Sequence, residues 1–260
     1  MPIVLLTGAS RGIGAATARL LSRAGATVAL VGRNAEGLAA TARSVEETGG
    51  RASIHVVDLA TPIAPTSLVE NVLEQHGGLD TVINNAAVIS PIATIAQGDD
   101  ASWEQAIAVN LIAPLLIIRA ALPTLRSVSG RVICVSSTAA DRDIRGLGAY
   151  CVTKGAQRHV TSILAIEEPA VTAITYQPGG TDTAMQASIR LQGDGVMTSE
   201  QMREYERRNR EGELADPHVP ARGLAWLGLT APSEWSGEEI LRDDARVLAG
   251  VGDLFGSDAG

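Results

Sequence analysis

The run IVLLTGASRGIG, residues Ile3–Gly14, passes from a Val/Leu-rich segment through three glycines into an Ala/Leu-rich stretch. A buried strand followed at once by a glycine turn and a helix leaves backbone N–H groups at a helix amino terminus facing the turn, a ready anion site. The glycines Gly8, Gly12 and Gly14 are spaced GxxxGxG rather than GxGxxG. The physical demands are the same: a tight turn, close approach to a diphosphate, and close helix packing. Taken alone, such a turn can also be purely structural.

Working outward, short β-rich runs alternate with longer helical stretches. Ile3–Leu6, Thr27–Val31, Ala52–Val57, Thr81–Ile83, Arg131–Val135 and Val171–Tyr176 read as strands, and residues 12–24, 35–48, 65–77, 101–125 and 150–166 as helices. Strands separated by helices of this length imply right-handed crossovers, hence an α/β fold with a doubly wound parallel sheet. Ile240 and Leu241, after Gly237, can add an edge strand. With no linker or repeat, the 260 residues are expected to form one domain. Residues 181–217 change character, becoming polar, charged and dotted with Met185, Met197 and Met202, and are expected to be a substrate lid.

Composition excludes several function classes. Hydrophobic residues make up 45% of the chain but aromatic ones only 3%, so the core must be aliphatic, as in parallel sheets covered by helices. A net charge of -8 disfavours nucleic acid. The cluster Arg203–Arg210 is interleaved with Glu204 and Glu206 and reads as a solvated helix face. Cys134 and Cys151 form no CxxC pair, the start lacks signal-peptide features, and a cytoplasmic setting is expected. The apolar run Leu111–Ile118 reads as too short for a bilayer and carries Pro114, so no membrane partner is expected. His55, His76, His159 and His218 have no metal-ligand spacing, and no metal is expected.

The chemistry-bearing residues follow the strands. After the second strand, where an acidic residue usually holds the adenosine ribose, stand Arg33 and Asn34. Arg33, reinforced by Arg11 of the glycine turn, suits a 2′-phosphate and points to NADP(H) over NAD(H). Asp58 and Leu59 follow the third strand, placed to border the adenine, although Asp58 can equally be a helix cap. Asn84-Asn85-Ala86-Ala87 follow the fourth, where small residues let backbone approach a flat ligand; Asn84 can equally be a turn former. After the fifth comes Ser137, and thirteen positions later Tyr150, with Lys154 four residues on. Positions i and i+4 share a helix face, so the ammonium is expected to lower the phenol pKa towards a useful range. An ordinary amphipathic helix would carry the same YxxxK spacing. Asn110 precedes Pro114 by four residues, leaving its carbonyl without that helix partner; either a bound water relaying protons to Lys154 or a plain kink fits.

Together TGASRGIG, Asp58, NNAA, Asn110, Ser137, Tyr150, Lys154 and PGGTDT (Pro178–Thr183) resemble, in order across residues 3–183, the classical short-chain dehydrogenase/reductase family. The resemblance implies a Rossmann fold and an Asn110–Ser137–Tyr150–Lys154 tetrad in which Lys154 also holds the nicotinamide ribose. It implies cofactor contacts from Gly8, Ser10, Arg11, Gly12, Ile13, Gly14, Arg33, Asn34, Asp58, Leu59, Asn85 and Ala86. Tyr150, Lys154, Pro178, Gly179, Thr181 and Thr183 would contact the nicotinamide half. The tail, LADPHVP (Leu214–Pro220) and WSGEEIL (Trp235–Leu241), is similar to the sepiapterin and benzil reductase branch, which reduces vicinal dicarbonyls with NADPH. Leu241 stands near the place of that branch's pterin-anchoring aspartate, with Asp243 and Asp244 beyond, so the likeness does not extend to pterin.

The expected activity is NADPH-dependent reduction of a ketone, aldehyde or vicinal dicarbonyl with Tyr150 as proton donor. An NADP-dependent alcohol or polyol dehydrogenase and a non-catalytic NADP(H) sensor are the competing readings. The family resemblance implies a homodimer through the 101–125 and 150–166 helices, with a tetramer as the larger alternative, and the sequence adds one hint, that Ala106–Leu122 is apolar nearly all round.

Overall fold

The computed structural model describes residues 1–256. Seven strands, β1 (Ile3–Thr7), β2 (Thr27–Gly32), β3 (Arg51–Val56), β4 (Thr81–Asn84), β5 (Arg131–Val135), β6 (Thr172–Gln177) and β7 (Glu239–Leu241), form one parallel sheet of order β3-β2-β1-β4-β5-β6-β7. The chain therefore winds one way from β1 to β3 and the other way from β4. Ile240 and Leu241 do form the edge strand that the sequence suggests.

The pleat assigns the apolar residues to two layers. Val4, Leu6, Val28, Leu30, Ile133 and Tyr176 face helices α1 (Gly12–Arg23), α2 (Ala35–Glu46), α9 (His218–Thr230) and α10 (Ala245–Phe255). The alternating Leu5, Ala29, Val31, Val132 and Cys134 face α3 (Ala64–His76), α5 (Ala113–Ser127) and α6 (Gly148–Glu167). Burial on both sides explains why these strands read as continuous apolar runs.

The helix expected over 101–125 is present, and the apolar element is longer than the Leu111–Ile118 run alone. Helix α4 (Asp100–Ile107), a π-helical turn over Ala108–Ile112, and α5 run on as one element of 28 residues, long and apolar enough by length and composition alone to cross a bilayer. It packs on the sheet instead, its inner residues Ala113, Ile117, Ile118, Ala121 and Leu125 lying in the α5 layer of the core. At Asn110 the helix widens into a π turn, in which the Ala113 N–H reaches back to the Ala108 carbonyl.

Residues 181–217 form α7 (Ala184–Gln192) and α8 (Ser199–Arg210). Their two ends meet: the Asp182 N–H donates to the Ala215 carbonyl at 2.8 Å and the Ala215 N–H to the Gly180 carbonyl at 3.0 Å. A third apolar cluster results, in which Ile189, Met197 and Met202 bury against Ile89, Leu147 and Tyr150.

The turn after β1 is tied to the end of β4 by one side chain. The buried Thr7 hydroxyl accepts the Asn85 and Ala86 N–H groups, each at 3.0 Å, and the Asn85 amide donates back to the Thr7 carbonyl at 2.9 Å. Thr7→Val keeps the shape but orphans both N–H groups. It should lower unfolding free energy in urea by about 2 kcal/mol or more, while Thr7→Ser stays within about 1 kcal/mol of native; equal loss in both variants would mean that the methyl group, not the hydroxyl, holds the turn.

Candidate active site

Because all seven strands point the same way, the loops after β1, β2, β3, β4, β5 and β6 open at one edge, where a doubly wound sheet receives its ligand. The glycine turn lies there. Gly8 and Gly12 have positive φ of 70° and 56°. A Cβ on Gly14 would sit 2.2 Å from the Gly8 carbonyl oxygen, so helix and turn touch backbone to backbone. Above Gly12, by contrast, an added Cβ meets only Thr183 Cγ2 at 3.6 Å. Helix α1 starts with no side-chain cap and no acidic residue in its first turn. Its uncapped N–H groups, with Ser10, Arg11 and Ile13 around them, suit a diphosphate.

Arg11 and Arg33 are both exposed and rise from neighbouring strand ends, since Thr7 pairs with Val31. Asn34 has a helix-capping role, its side chain accepting the Gly37 N–H at 2.9 Å. Asp58 is exposed and closes a local turn by accepting the Ala60 N–H at 3.0 Å. Leu59 is buried in the α3/α5 layer, which leaves its backbone, not its side chain, to face a ligand. Asn85 and Ala86 are fixed by Thr7, as described. Pro178 is buried, Gly179 has φ 69°, and Thr181 is buried with its hydroxyl donating to the Gly179 carbonyl at 3.3 Å. Of this loop, Thr183 is the residue that borders the glycine turn.

Ser137 and Tyr150 are brought together. The Ser137 oxygen accepts the Ala139 N–H at 3.2 Å, and the Ser137 side chain stands near enough to the Tyr150 phenol to favour its ionised form. The expected effect of Lys154 on the phenol is not what governs it: burial pushes Tyr150 up to about 12, and Ser137 pulls weakly the other way. The Lys154 Nζ lies 5.9 Å from the Tyr150 ring centroid and turns inward, donating to the Val135 carbonyl at 2.6 Å and to Gln157 Oε1 at 3.0 Å. Burial lowers Lys154 to about 8. Asn110 is fully buried, yet its side chain is bonded elsewhere: it accepts from the Val88 N–H at 2.8 Å and donates to the Val88 carbonyl at 2.9 Å and to Thr153 Oγ1 at 3.1 Å. It anchors the loop after β4 to α6.

Two residues beside this set escape the sequence reading. Tyr205 of α8 packs in the apolar cluster with Tyr150, and its phenol is raised by burial, with Arg208 acting against. Gln157 is buried one turn beyond Lys154. A signal existed for Gln157: Tyr150, Thr153, Lys154, Gln157 and Thr161 recur at helical spacing on the inward face of α6. A cleft of about 520 Å³ lined by Ser129, Arg131 and Glu234 opens near the start of β5, away from these groups. Met185, Met197 and Met202 of residues 181–217 belong to the same apolar cluster as Tyr150.

A doubly wound sheet that gathers a glycine turn, Ser137, Tyr150 and Lys154 at one edge defines a Rossmann-type oxidoreductase. The family model described as short chain dehydrogenase matches residues 2–194. The chain is 31% identical over 257 residues to a benzil reductase ((S)-benzoin forming) of Saccharomyces cerevisiae, covering 94% of this chain and 97% of that protein. A short-chain dehydrogenase/reductase crystal structure from the same yeast superposes with TM-score 0.88 at 30% identity, over 96% and 99% of the two chains. A 3-oxoacyl (acyl-carrier-protein) reductase of Agrobacterium tumefaciens, solved with NADP bound, matches with TM-score 0.81 at 31% identity, over 92% of each chain. The chain belongs to the short-chain dehydrogenase/reductase family.

The buried lysine has a consequence for stability. Its folded pKa lies below the ordinary 10.5, so between about 8 and 10.5 the unfolded chain binds more protons and stability attributable to Lys154 rises with pH. Relative to Lys154→Met, the native protein should therefore gain up to about 3 kcal/mol of unfolding free energy across that window. A pH-independent difference between the two would show that the ammonium is not desolvated.

Proposed function

We propose that this oxidoreductase reduces an apolar ketone, aldehyde or vicinal dicarbonyl with NADPH. The carrying observation is the placement of Tyr150: a buried phenol beside Ser137, beneath an apolar cover and at the same edge as the glycine turn. NADPH supplies the hydride. As negative charge develops on the substrate oxygen, Tyr150 gives its proton to that oxygen and Ser137 donates a hydrogen bond to it. Lys154 serves the nicotinamide ribose from behind Tyr150.

Arg11 and Arg33 support the phosphorylated cofactor, since an acid at position 33 would repel a 2′-phosphate and a guanidinium attracts it. NADP in the Agrobacterium reductase is consistent with this. The aliphatic and methionine lining suits an apolar substrate, in line with the yeast relative's name. Residues 181–217 act as its lid. Run in reverse, the same site oxidises the corresponding alcohol.

Tyr150→Phe should lower kcat for a panel of ketones and diketones by roughly 10²–10⁴-fold with NADPH affinity nearly unchanged, because only the proton donor is removed. Arg33→Asp should weaken NADPH by about 2–3 kcal/mol and leave NADH little affected. Retention of a tenth of native kcat by Tyr150→Phe would sink the assignment of the proton donor, and equal native use of NADH and NADPH would sink that of Arg33.

The protein is further inferred to be a homodimer through the π turn, α5 and α6. Ile112, Val152, Ile163 and Ile166 are 41%, 57%, 40% and 81% exposed, and the last three lie on one stripe of α6. Light scattering at micromolar concentration should give twice the chain mass, and a monomeric mass refutes this.

A further inference from the structure

The inward face of α6 carries a polar stripe inside an otherwise aliphatic layer, and most of it has local work. Tyr150 meets Ser137, Thr153 receives the Asn110 amide, and the Thr161 hydroxyl donates to the Gln157 carbonyl at 3.0 Å. The Gln157 side chain stands apart. It is 3% exposed, and it presents its oxygen, not its nitrogen, to the ammonium of Lys154 at 3.0 Å. Burying an amide costs free energy unless the burial is matched by a strong partner, and a charged donor is such a partner.

The groups facing Lys154 leave few substitutes for that oxygen. From β5 come the Val135 carbonyl and the Cys134 thiol, the latter raised by burial and so kept neutral at ordinary pH. From β4 the Asn84 amide is directed to Cys134, at 3.8 Å. On α6 itself stand the neutral Tyr150, Thr153 and Thr161. Among the described residues no carboxylate is paired with Lys154. An ammonium has three donors, and Val135 and Gln157 take two of them, leaving one.

We propose that Gln157 is a positioning residue for this reaction, its side-chain oxygen fixing the Lys154 ammonium behind Tyr150 with one N–H left over for the cofactor ribose. This rests on the role given to Lys154 above. A neutral acceptor suits the task better than either alternative. A carboxylate would neutralise the charge and pull the lysine inward, and an apolar side chain would leave the ammonium with a single protein acceptor in a dry pocket, where it would shed its proton more readily.

The test exploits a feature of the sequence: Lys154 is the chain's one lysine, every other cationic side chain of this type being arginine. Protein labelled with [ε-¹³C]lysine thus gives a single titrating NMR signal that needs no activity to be read. In Gln157→Met the midpoint of that signal should fall by about one to two pH units and in Gln157→Glu it should rise. The alkaline limb of kcat/KM for NADPH-dependent reduction should move in the same directions. If Gln157→Met does not fold, the isosteric Gln157→Glu decides alone, and its midpoint must rise. An unmoved midpoint, or one that moves the same way in both variants, overturns the proposal, as does a loss of turnover equal at every pH with the lysine signal unchanged. If the midpoints move as expected while the alkaline limb stays, the failure lies in the role assigned to Lys154, and the proposed link from Gln157 to turnover falls with it.

Discussion

Parallel pairing is the constraint on which the rest depends. In a parallel sheet every strand must be re-entered from the same end, so each strand is followed by a loop at one edge and a helix returning across a face. Six successive loops are thereby delivered to a single edge, and residues as distant in sequence as Ser10, Asn85, Ser137 and Thr183 are gathered along it without any long-range signal beyond hydrophobic pattern. The reversal of winding between β1 and β4 opens the crevice. Thr7 then sets its width, because the turn after β1 and the end of β4 are hydrogen-bonded through one hydroxyl.

Within that frame, the chemistry depends on dryness. Tyr150 and Lys154 are displaced in opposite senses, the phenol upward and the ammonium downward, and in both the leading cause is burial. Desolvation favours the neutral form of each. For the proton donation proposed for Tyr150, a neutral phenol is the useful state; for the lysine, the same dryness is a threat that neighbouring acceptors must offset. The two residues of the YxxxK pair therefore make opposite demands on one environment.

The architecture was legible because it is periodic. The hydrophobic pattern places the strands within about a residue of where they stand and backbone requirements mark the glycine turn, whereas Ser137 and Tyr150 are linked in the sequence only through the family resemblance. What escaped is side-chain direction. Nothing in the spacing of Asn110 and Pro114 says that the asparagine amide will bind Val88 and Thr153 rather than face Lys154. Likewise Asn34 and Asp58, expected at the adenine end of the site, have their carboxamide or carboxylate engaged with local N–H groups, a use open to any such residue at a helix or turn start. The apolar stretch Leu111–Ile118 is too short to span a bilayer when read alone, and the helix expected over 101–125 carries it, through the π turn, as part of one longer element. Gln157 was passed over because a lone glutamine in a helix reads as surface until the whole stripe is laid on one face.

The clasp between Gly180–Asp182 and Ala215 has an implication for how such a protein diversifies. Both ends of the α7/α8 excursion are pinned side by side by two backbone hydrogen bonds, which involve no side chain of the segment they enclose. The entropic cost of closing a loop grows only slowly with its length. The intervening residues can accordingly be lengthened, shortened or exchanged wholesale while the catalytic edge keeps its geometry. The excursion is thereby built as a cassette on a backbone socket, open to grafting another chain's segment between the same two pairing residues.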